Sequence, residues 1–291
     1  MQNTNKKILV IGGLGYIGAK LVIALQEKEY EVEVFDKPKD IRNIEQLREV
    51  IAENDIVYHL AALAELSYTD AHPQETYEVN IVGANNVAKI CAEKGVLLNF
   101  VSTCCIYGNP LEIPSVEDRL INPSDTYAMS KASGEYLVKM WGLASGLKYN
   151  ILRFGTVYGQ SLKKEMRNDM AIQKFLDAAI KKDLIQITGD GKQSRNFIHI
   201  DDLVRASVLI VEEEIVGETI NLAGKESISI NDIADYAINF GAFAKKYIPS
   251  RKDDFIDQNI SLVKAKKLLN WEPEITFEEG IKKMYNWLKS Q

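Results

Sequence analysis

Lys7-Ile-Leu-Val-Ile11 is an apolar run that leads straight into Gly12-Gly-Leu-Gly-Tyr-Ile-Gly18. A short continuous apolar run is how a strand buried on both faces reads. The next residues switch to helical spacing: Ile17, Leu21, Ala24 and Leu25 share one face of a helix predicted over 15–28. Strand, glycine turn and helix in this order make the first half of a βαβ unit, which commits the chain to further parallel strands. Glycines permit the tight turn and leave bare backbone at the helix N-terminus, where N–H groups and the helix dipole favour a phosphate. The spacing of Gly12, Gly15 and Gly18 is Gly-x-x-Gly-x-x-Gly. Taken alone it is also compatible with a glycine turn that holds no ligand.

The alternation continues. Strands are predicted at 32–35, 55–60, 97–101 and 149–153, and helices at 44–53, 73–94 and 124–144. This is the pattern of an α/β fold, a Rossmann-type doubly wound parallel sheet with helices on both faces. After Arg153 the rhythm breaks. Helices follow at 170–182, 201–211, 229–240, 261–269 and 277–289, with short strands near 185–188 and 218–222. A smaller α/β lobe interleaved with the end of the sheet is expected. Residues 1–160 and 190–225 are assigned to a dinucleotide-binding domain, and 161–189 and 226–291 to the smaller substrate lobe. That lobe would close over the carboxyl ends of the strands, where open α/β sheets bind ligands.

Composition narrows the function. The 291 residues are 46% apolar and 26% charged, with a net charge of −6 and both signs interspersed, which argues against nucleic acid as a partner. No apolar run approaches the ~20 residues needed to span a bilayer. The first seven residues run into a strand and lack the form of a signal peptide. Cys91, Cys104 and Cys105 show no metal-ligand spacing. A cytoplasmic protein without metal or membrane contact is expected.

Two constellations carry chemistry. Asp36 ends the second strand, eighteen residues after Gly18. A carboxylate there accepts ribose hydroxyls and repels a 2′-phosphate, favouring NAD over NADP, although the adjacent Lys37 could contact a phosphate. The N–H groups of Tyr16 and Ile17 join the glycines at the pyrophosphate. Asp40 and Ile41 are placed at the adenine edge, and Leu60, Ala61 and Ala62 where the dinucleotide passes. Each of these segments is also consistent with ordinary loop packing. The second constellation is Tyr127 and Lys131, four residues apart and so on one helix face. An ammonium beside a phenol favours the phenolate, so the Tyr127 pKa is expected to fall toward working pH. Such a tyrosine can exchange a proton with a carbinol, provided a cofactor carries the hydride.

With His59-Leu-Ala-Ala62, Ser102-Thr-Cys-Cys-Ile-Tyr-Gly108 and Tyr127-x-x-x-Lys131 in register, the chain resembles the extended short-chain dehydrogenase/reductases. Within them it is most similar to the nucleotide-sugar epimerase and dehydratase branch. Arg153-Phe-Gly-Thr-Val-Tyr-Gly159, the segment from Gly189 to Asp202 and Asn270-Trp-Glu-Pro273 extend the resemblance over nearly the whole chain. The resemblance implies that Tyr127 is the acid/base at a sugar hydroxyl and that Lys131 binds the nicotinamide ribose. It also implies that Thr103 hydrogen-bonds the reacting oxygen. Arg195 and Arg251, two arginines read as lying in loops, would clamp the diphosphate of a nucleotide-diphosphate sugar, a task suited to guanidinium forks. A homodimer is implied too, built on the helices near 73–94 and 124–144, with Val82, Val87, Ile90, Tyr136, Val138 and Met140 as spare apolar residues. His59 and His199 read as structural histidines. Two departures stand out. Asp36 and Asp40 lie where relatives insert a loop and a third strand, so this edge of the sheet is expected to be trimmed. Thr156 stands where relatives often carry a phosphate-binding asparagine.

The resemblance leaves several reactions open. A 4,6-dehydratase carries an acidic pair after the threonine, and a decarboxylase a glutamate; here the pair is Cys104-Cys105. A 3,5-epimerase/4-reductase uses a cysteine at the position of Cys105, but its histidine partner is missing from 160–190. Cys105 also reads as a small apolar residue. What remains is NAD-dependent 4-epimerisation, through transient oxidation to the keto sugar and hydride return. A nucleotide-sugar reductase or 3,5-epimerase/4-reductase, a 4,6-dehydratase and a non-catalytic NAD-binding module are the alternatives.

Overall fold

A computed structural model describes residues 6–109, 112–162, 171–249 and 258–291. Strand β1 (Lys7–Ile11) sits inside a six-stranded parallel sheet. Its side chains alternate between two buried clusters, Ile8 and Val10 on one face, Leu9 and Ile11 on the other. This is why the run reads as continuously apolar. Helix α1 (Tyr16–Glu27) leads to β2 (Glu31–Phe35), then α2 (Ile44–Ile51) to β3 (Ile56–His59). Two short helices follow, α3 (Leu66–Ala71) and α4 (Pro73–Thr76), then a π-helical stretch, Tyr77–Gly83, and α5 (Ala84–Lys94). Strand β4 (Leu97–Thr103) ends in a 3₁₀ turn, Cys104–Tyr107, before the long helix α6 (Thr126–Ser145) and β5 (Tyr149–Phe154).

The last part of the chain contains β6 (Thr156–Tyr158), α7 (Ala171–Lys181), β7 (Leu184–Thr188), β8 (Ser194–His199), α8 (Ile200–Glu212) and β9 (Thr219–Leu222). It closes with β10 (Ser227–Ser229), α9 (Ile230–Phe240), β11 (Ala244–Ile248), α10 (Val263–Leu269) and α11 (Phe277–Lys289). The main sheet has the order β2-β1-β3-β4-β5-β9, all parallel. Residues of α1, α8 and α10 cover one face, and residues of α2, α5 and α6 the other. A three-stranded sheet, β10-β8-β6, and a two-stranded one, β11-β7, belong to the smaller part, whose own core joins α7, α9 and α11.

Three expectations change. The single helix predicted over 73–94 is interrupted by the π-helical Tyr77–Gly83, because apolar spacing does not report a shift of the hydrogen-bond ladder. Strands β6, β8, β10 and β11 were not predicted; β8 and β11, with sequences SRNFIH and AKKYI, carry too many polar residues to read as buried strands. Arg195 therefore lies on a strand and not in a loop. Finally, Val87, Ile90 and Val138 are fully buried in the core of this chain and are unavailable to a second subunit. The trimmed edge is present: β2 is the outermost strand, and the chain turns from Asp36 into α2 without a further strand.

Candidate active site

The carboxyl ends of β1, β2 and β3 meet at the glycine turn. Gly12 has φ +88°, and a Cβ there would lie 2.6 Å from the Ala61 backbone nitrogen. A Cβ on Gly18 would lie 2.1 Å from the Gly12 carbonyl oxygen. Both positions exclude any side chain unless backbone moves. The Gly12 N–H donates to the Phe35 carbonyl at 2.8 Å, and the N–H groups of Leu60 and Ala61 both donate to that of Ile11. Gly15 is the N-cap of α1; it supplies no side-chain bond, and the first turn holds no acidic residue. The helix thus presents its first N–H groups, including those of Tyr16 and Ile17, to an anion. Asp36 is fixed at the tip of β2: Oδ2 accepts the Leu14 N–H at 2.8 Å and Oδ1 that of Lys37 at 2.7 Å. A bare cradle at a helix N-terminus beside an anchored carboxylate fits the pyrophosphate and ribose of a dinucleotide.

Asp40 and Ile41, expected at the adenine edge, have other engagements. The Asp40 carboxylate grips the Arg42 guanidinium at 2.6–3.0 Å, which lowers its pKa, and the Ile41 side chain is buried in the core under α2 and α5. The Tyr16 hydroxyl donates to the Gly159 carbonyl at 2.8 Å, tying α1 to the segment after β6. Leu60, Ala61 and Ala62 are half-buried after β3. Sequence reasoning missed the residue that holds this loop. Asn80, in the π-helical stretch, accepts the Leu63 N–H at 2.8 Å and donates to the Leu63 carbonyl at 2.9 Å. Its amide also donates to Ser130 Oγ at 2.9 Å, and Ser130 donates to the Tyr127 carbonyl at 2.7 Å. One buried amide so links the cofactor-side loop to α6. The only hint in the sequence is a polar residue inside an apolar helical pattern.

Asp125 starts α6 by accepting the Ala128 N–H at 2.7 Å. Tyr127 follows on the first turn and is half-buried. Burial raises its pKa above the ordinary value; the Cys105 thiol and the Asp125 carboxylate add to this, while hydrogen bonding with Thr103 opposes it. This reverses the expected lowering. The cost of a phenolate in the interior dominates, and the Lys131 ammonium lies over the Phe100 ring, 4.6 Å from its centre. Lys131 is 3% exposed. Burial pushes its pKa down to about 8, with Glu135 pulling the other way. Thr103 ends β4, and its hydroxyl accepts the Cys105 N–H at 3.2 Å.

Cys105 is half-buried. Burial raises its pKa; Thr103 opposes this, Asp125 adds to it, and Arg195 lowers it again. The same Arg195 charge acts on Asp125. Thr103, Cys105, Asp125, Tyr127 and Arg195 therefore form one electrostatic cluster, with Arg195 arriving from β8. Arg251 lies outside the described residues. Thr156 opens β6 and is half-buried. His59 and His199 are both buried. Burial and the nearby Lys131 hold His59 down to about 3. His199 caps α8 by accepting the Asp201 N–H at 3.3 Å, and burial holds it down to about 4.

Residues 8–223 match the model of the NAD-dependent epimerase/dehydratase family. The chain belongs to that family. Members are NAD-dependent, in agreement with the cradle at Gly12 and Gly18 and the carboxylate of Asp36. A curated member, the UDP-glucuronate 4-epimerase of Thermodesulfobacterium geofontis, is 36% identical over 86% of this chain and 78% of its own length. The UDP-glucuronic acid decarboxylase 1 of Arabidopsis thaliana is 27% identical over 96% of this chain and 68% of its own. Among solved members, the UDP-glucuronic acid 4-epimerase of Bacillus cereus in complex with UDP-glucuronic acid and NAD superposes with a TM-score of 0.89. The identity is 28%, covering 98% of this chain and 99% of that one. The parallel sheet and its helices are thus those of the Rossmann-type members of the family. Among the described residues, no helix is long and apolar enough to cross a membrane.

Proposed function

We propose that this family member epimerises a nucleotide-diphosphate sugar at C4. What supports the reading is Thr103 hydrogen-bonding with Tyr127, Lys131 one turn further along α6, and the cradle at Gly12 and Gly18 at the carboxyl end of the same sheet, with Cys104-Cys105 in place of a carboxylate after the threonine. Bound NAD supplies a hydride acceptor and donor. The chain's residues do the rest. Gly12, Gly15, Gly18 and the N–H groups of Tyr16 and Ile17 would hold the pyrophosphate. Asp36 would accept the adenosine ribose hydroxyls, and Lys131 would donate to the nicotinamide ribose. Thr103 orients the reacting sugar oxygen, and Tyr127 takes and returns its proton. Arg195 and Arg251 would bind the diphosphate, with the smaller lobe forming the wall of the cleft. A homodimer is part of the proposal, seated on the exposed face of α6, where Tyr136 is 63% and Leu143 92% exposed and Met129 and Met140 lie alongside.

The test begins with mass spectrometry of the natively purified protein for retained NAD and nucleotide sugar. UDP-glucose, UDP-galactose, UDP-N-acetylglucosamine and UDP-glucuronic acid are then supplied in turn. Interconversion of C4 epimers is expected. A UDP-pentose with release of carbon dioxide would make the protein a decarboxylase instead. Bound NAD with no turnover would make it a binding module.

A further inference from the structure

We propose that Glu135 is a positioning residue for Lys131, acting on the buried lysine one helical turn away through the field of a carboxylate that Arg153 immobilises. The inference rests on the NAD-dependent reading of the site given above. Glu135 stands four residues after Lys131 on α6, so the two side chains share a face one turn apart. Both are buried, Lys131 at 3% and Glu135 at 1% exposure. The Glu135 carboxylate is held by a bidentate fork from β5: Arg153 Nε donates to Oε1 at 2.9 Å and Nη2 to Oε2 at 2.8 Å. Arg153 is itself anchored, Nη1 donating at 2.8 Å to both the Tyr107 hydroxyl and the Glu117 carbonyl.

An ordinary buried ion pair needs no third charge. Here a third is present. Lys131, Glu135 and Arg153 place two cations and one anion in the interior; the anion is bonded to Arg153 and shares its helix face with Lys131 one turn away. A buried ammonium without a nearby carboxylate tends to lose its proton. The groups that bear on Lys131 are few among the described residues. From α6 itself comes Glu135; the Tyr127 phenol, one turn earlier on the same helix, stays protonated because its pKa is raised. From β3 comes His59, neutral at working pH. From β4 comes the uncharged Phe100 ring. Glu135 is thus the group that keeps the lysine cationic, and Arg153 fixes where that charge lies.

The experiment measures NADH binding by fluorescence, and turnover, from pH 6 to pH 10. In the unmodified protein both should decline as Lys131 loses its proton near pH 8. In Glu135→Gln, which keeps the shape and removes the charge, the decline should move down by about one pH unit. Glu135→Asp, which keeps the charge, should leave the decline close to its original pH even if the protein is less stable. Should Glu135→Gln fail to fold, Glu135→Gln combined with Arg153→Met removes both members of the pair, and a downward shift smaller than that of the single change is expected, since the Arg153 cation is lost with the carboxylate. A uniform loss at all pH values, with the decline unmoved, would show a purely structural pair and overturn the inference. If the unmodified protein binds no NADH at any pH, both this inference and the proposed function fall. If it binds and turns over while the decline stays put in the variant, this inference alone falls.

Discussion

The glycine cradle and the reacting centre lie side by side at the carboxyl ends of one sheet, and they are built from different material. The cradle is backbone. Gly12 and Gly18 admit no Cβ, the N–H of Leu14 fixes Asp36, and α1 offers uncapped N–H groups. Nothing in it needs to change protonation. The reacting centre is made of buried and half-buried side chains whose protons are displaced from their ordinary equilibria: Tyr127 and Cys105 raised, Lys131 lowered, with the neutral His59 beside it. A cradle of this kind is set by sterics within a few residues. A centre of this kind is set by what the rest of the fold places around it.

The sharpest way to separate the two halves is Tyr127→Phe. It removes the hydroxyl from the centre and leaves the ring, the helix and the cradle in place. Turnover should fall by roughly 10²–10⁴, while NAD affinity and the unfolding midpoint change little. Kinetics on the best nucleotide sugar and calorimetry with NAD check it together. Full activity in this variant would remove the assigned mechanism.

The same division decides what the sequence makes legible. The strand at 7–11, the glycine turn and the helix from Tyr16 are local patterns, and they stand where spacing predicts. Tyr127 and Lys131 are equally local, and both lie on α6. What spacing does not carry is partnership over long separations. Asn80 reaches Leu63 and Ser130 from a π-helical stretch, Arg153 reaches Glu135 from the next strand, and Arg195 enters from a small sheet whose strands are too polar to recognise. The direction of the Tyr127 shift is invisible to spacing for the same reason. Four-residue spacing reports that the lysine is near, whereas the depth of burial and the position of the lysine over Phe100 decide the sign.

A second test uses pH on the fold. His59 and His199 have folded-state values of about 3 and about 4, against about 6.5 when unfolded. The unfolded chain therefore binds more protons between those limits, and stability falls as pH drops from 6.5 toward 4. Each histidine should cost about 2 kcal/mol between pH 7 and pH 5. Urea unfolding at the two pH values reads this directly, and equal stability would mean that both imidazoles are solvated.

A third and smaller effect belongs to the cradle. Asp36 is the charged side chain anchored in it, and in the proposed function its carboxylate accepts the ribose hydroxyls. NAD should bind at least tenfold tighter than NADP, a difference of about 1.4 kcal/mol. In Asp36→Asn the gap should narrow, since the repulsion of a 2′-phosphate is lost and Lys37 remains. Calorimetry with both dinucleotides checks it; equal affinities in the unmodified protein would remove the role given to Asp36.

The smallest expected effect is that of Cys105→Ser, and it decides between two chemistries. The Cys105 thiol lies in the cluster with Thr103, Tyr127, Asp125 and Arg195, so its position alone would suit an acid/base at C3 or C5 of the sugar. Its burial argues otherwise, because a thiol raised above its ordinary value is a poor source of thiolate. Serine places a hydroxyl in a partly apolar spot, at a stability cost of about 1–3 kcal/mol, so activity must be compared well below the melting transition. There, turnover should change by less than about tenfold, the scale of a 1.4 kcal/mol difference. The accompanying readout is deuterium. In a C4 epimerisation the hydrogen leaves and returns as hydride and does not exchange with solvent. Product formed in deuterated water should carry no deuterium on carbon, in the unmodified protein and in Cys105→Ser alike. Deuterium at C3 or C5 that disappears with Cys105 would establish the thiol as a proton donor and replace 4-epimerisation with a 3,5-epimerase/4-reductase reaction.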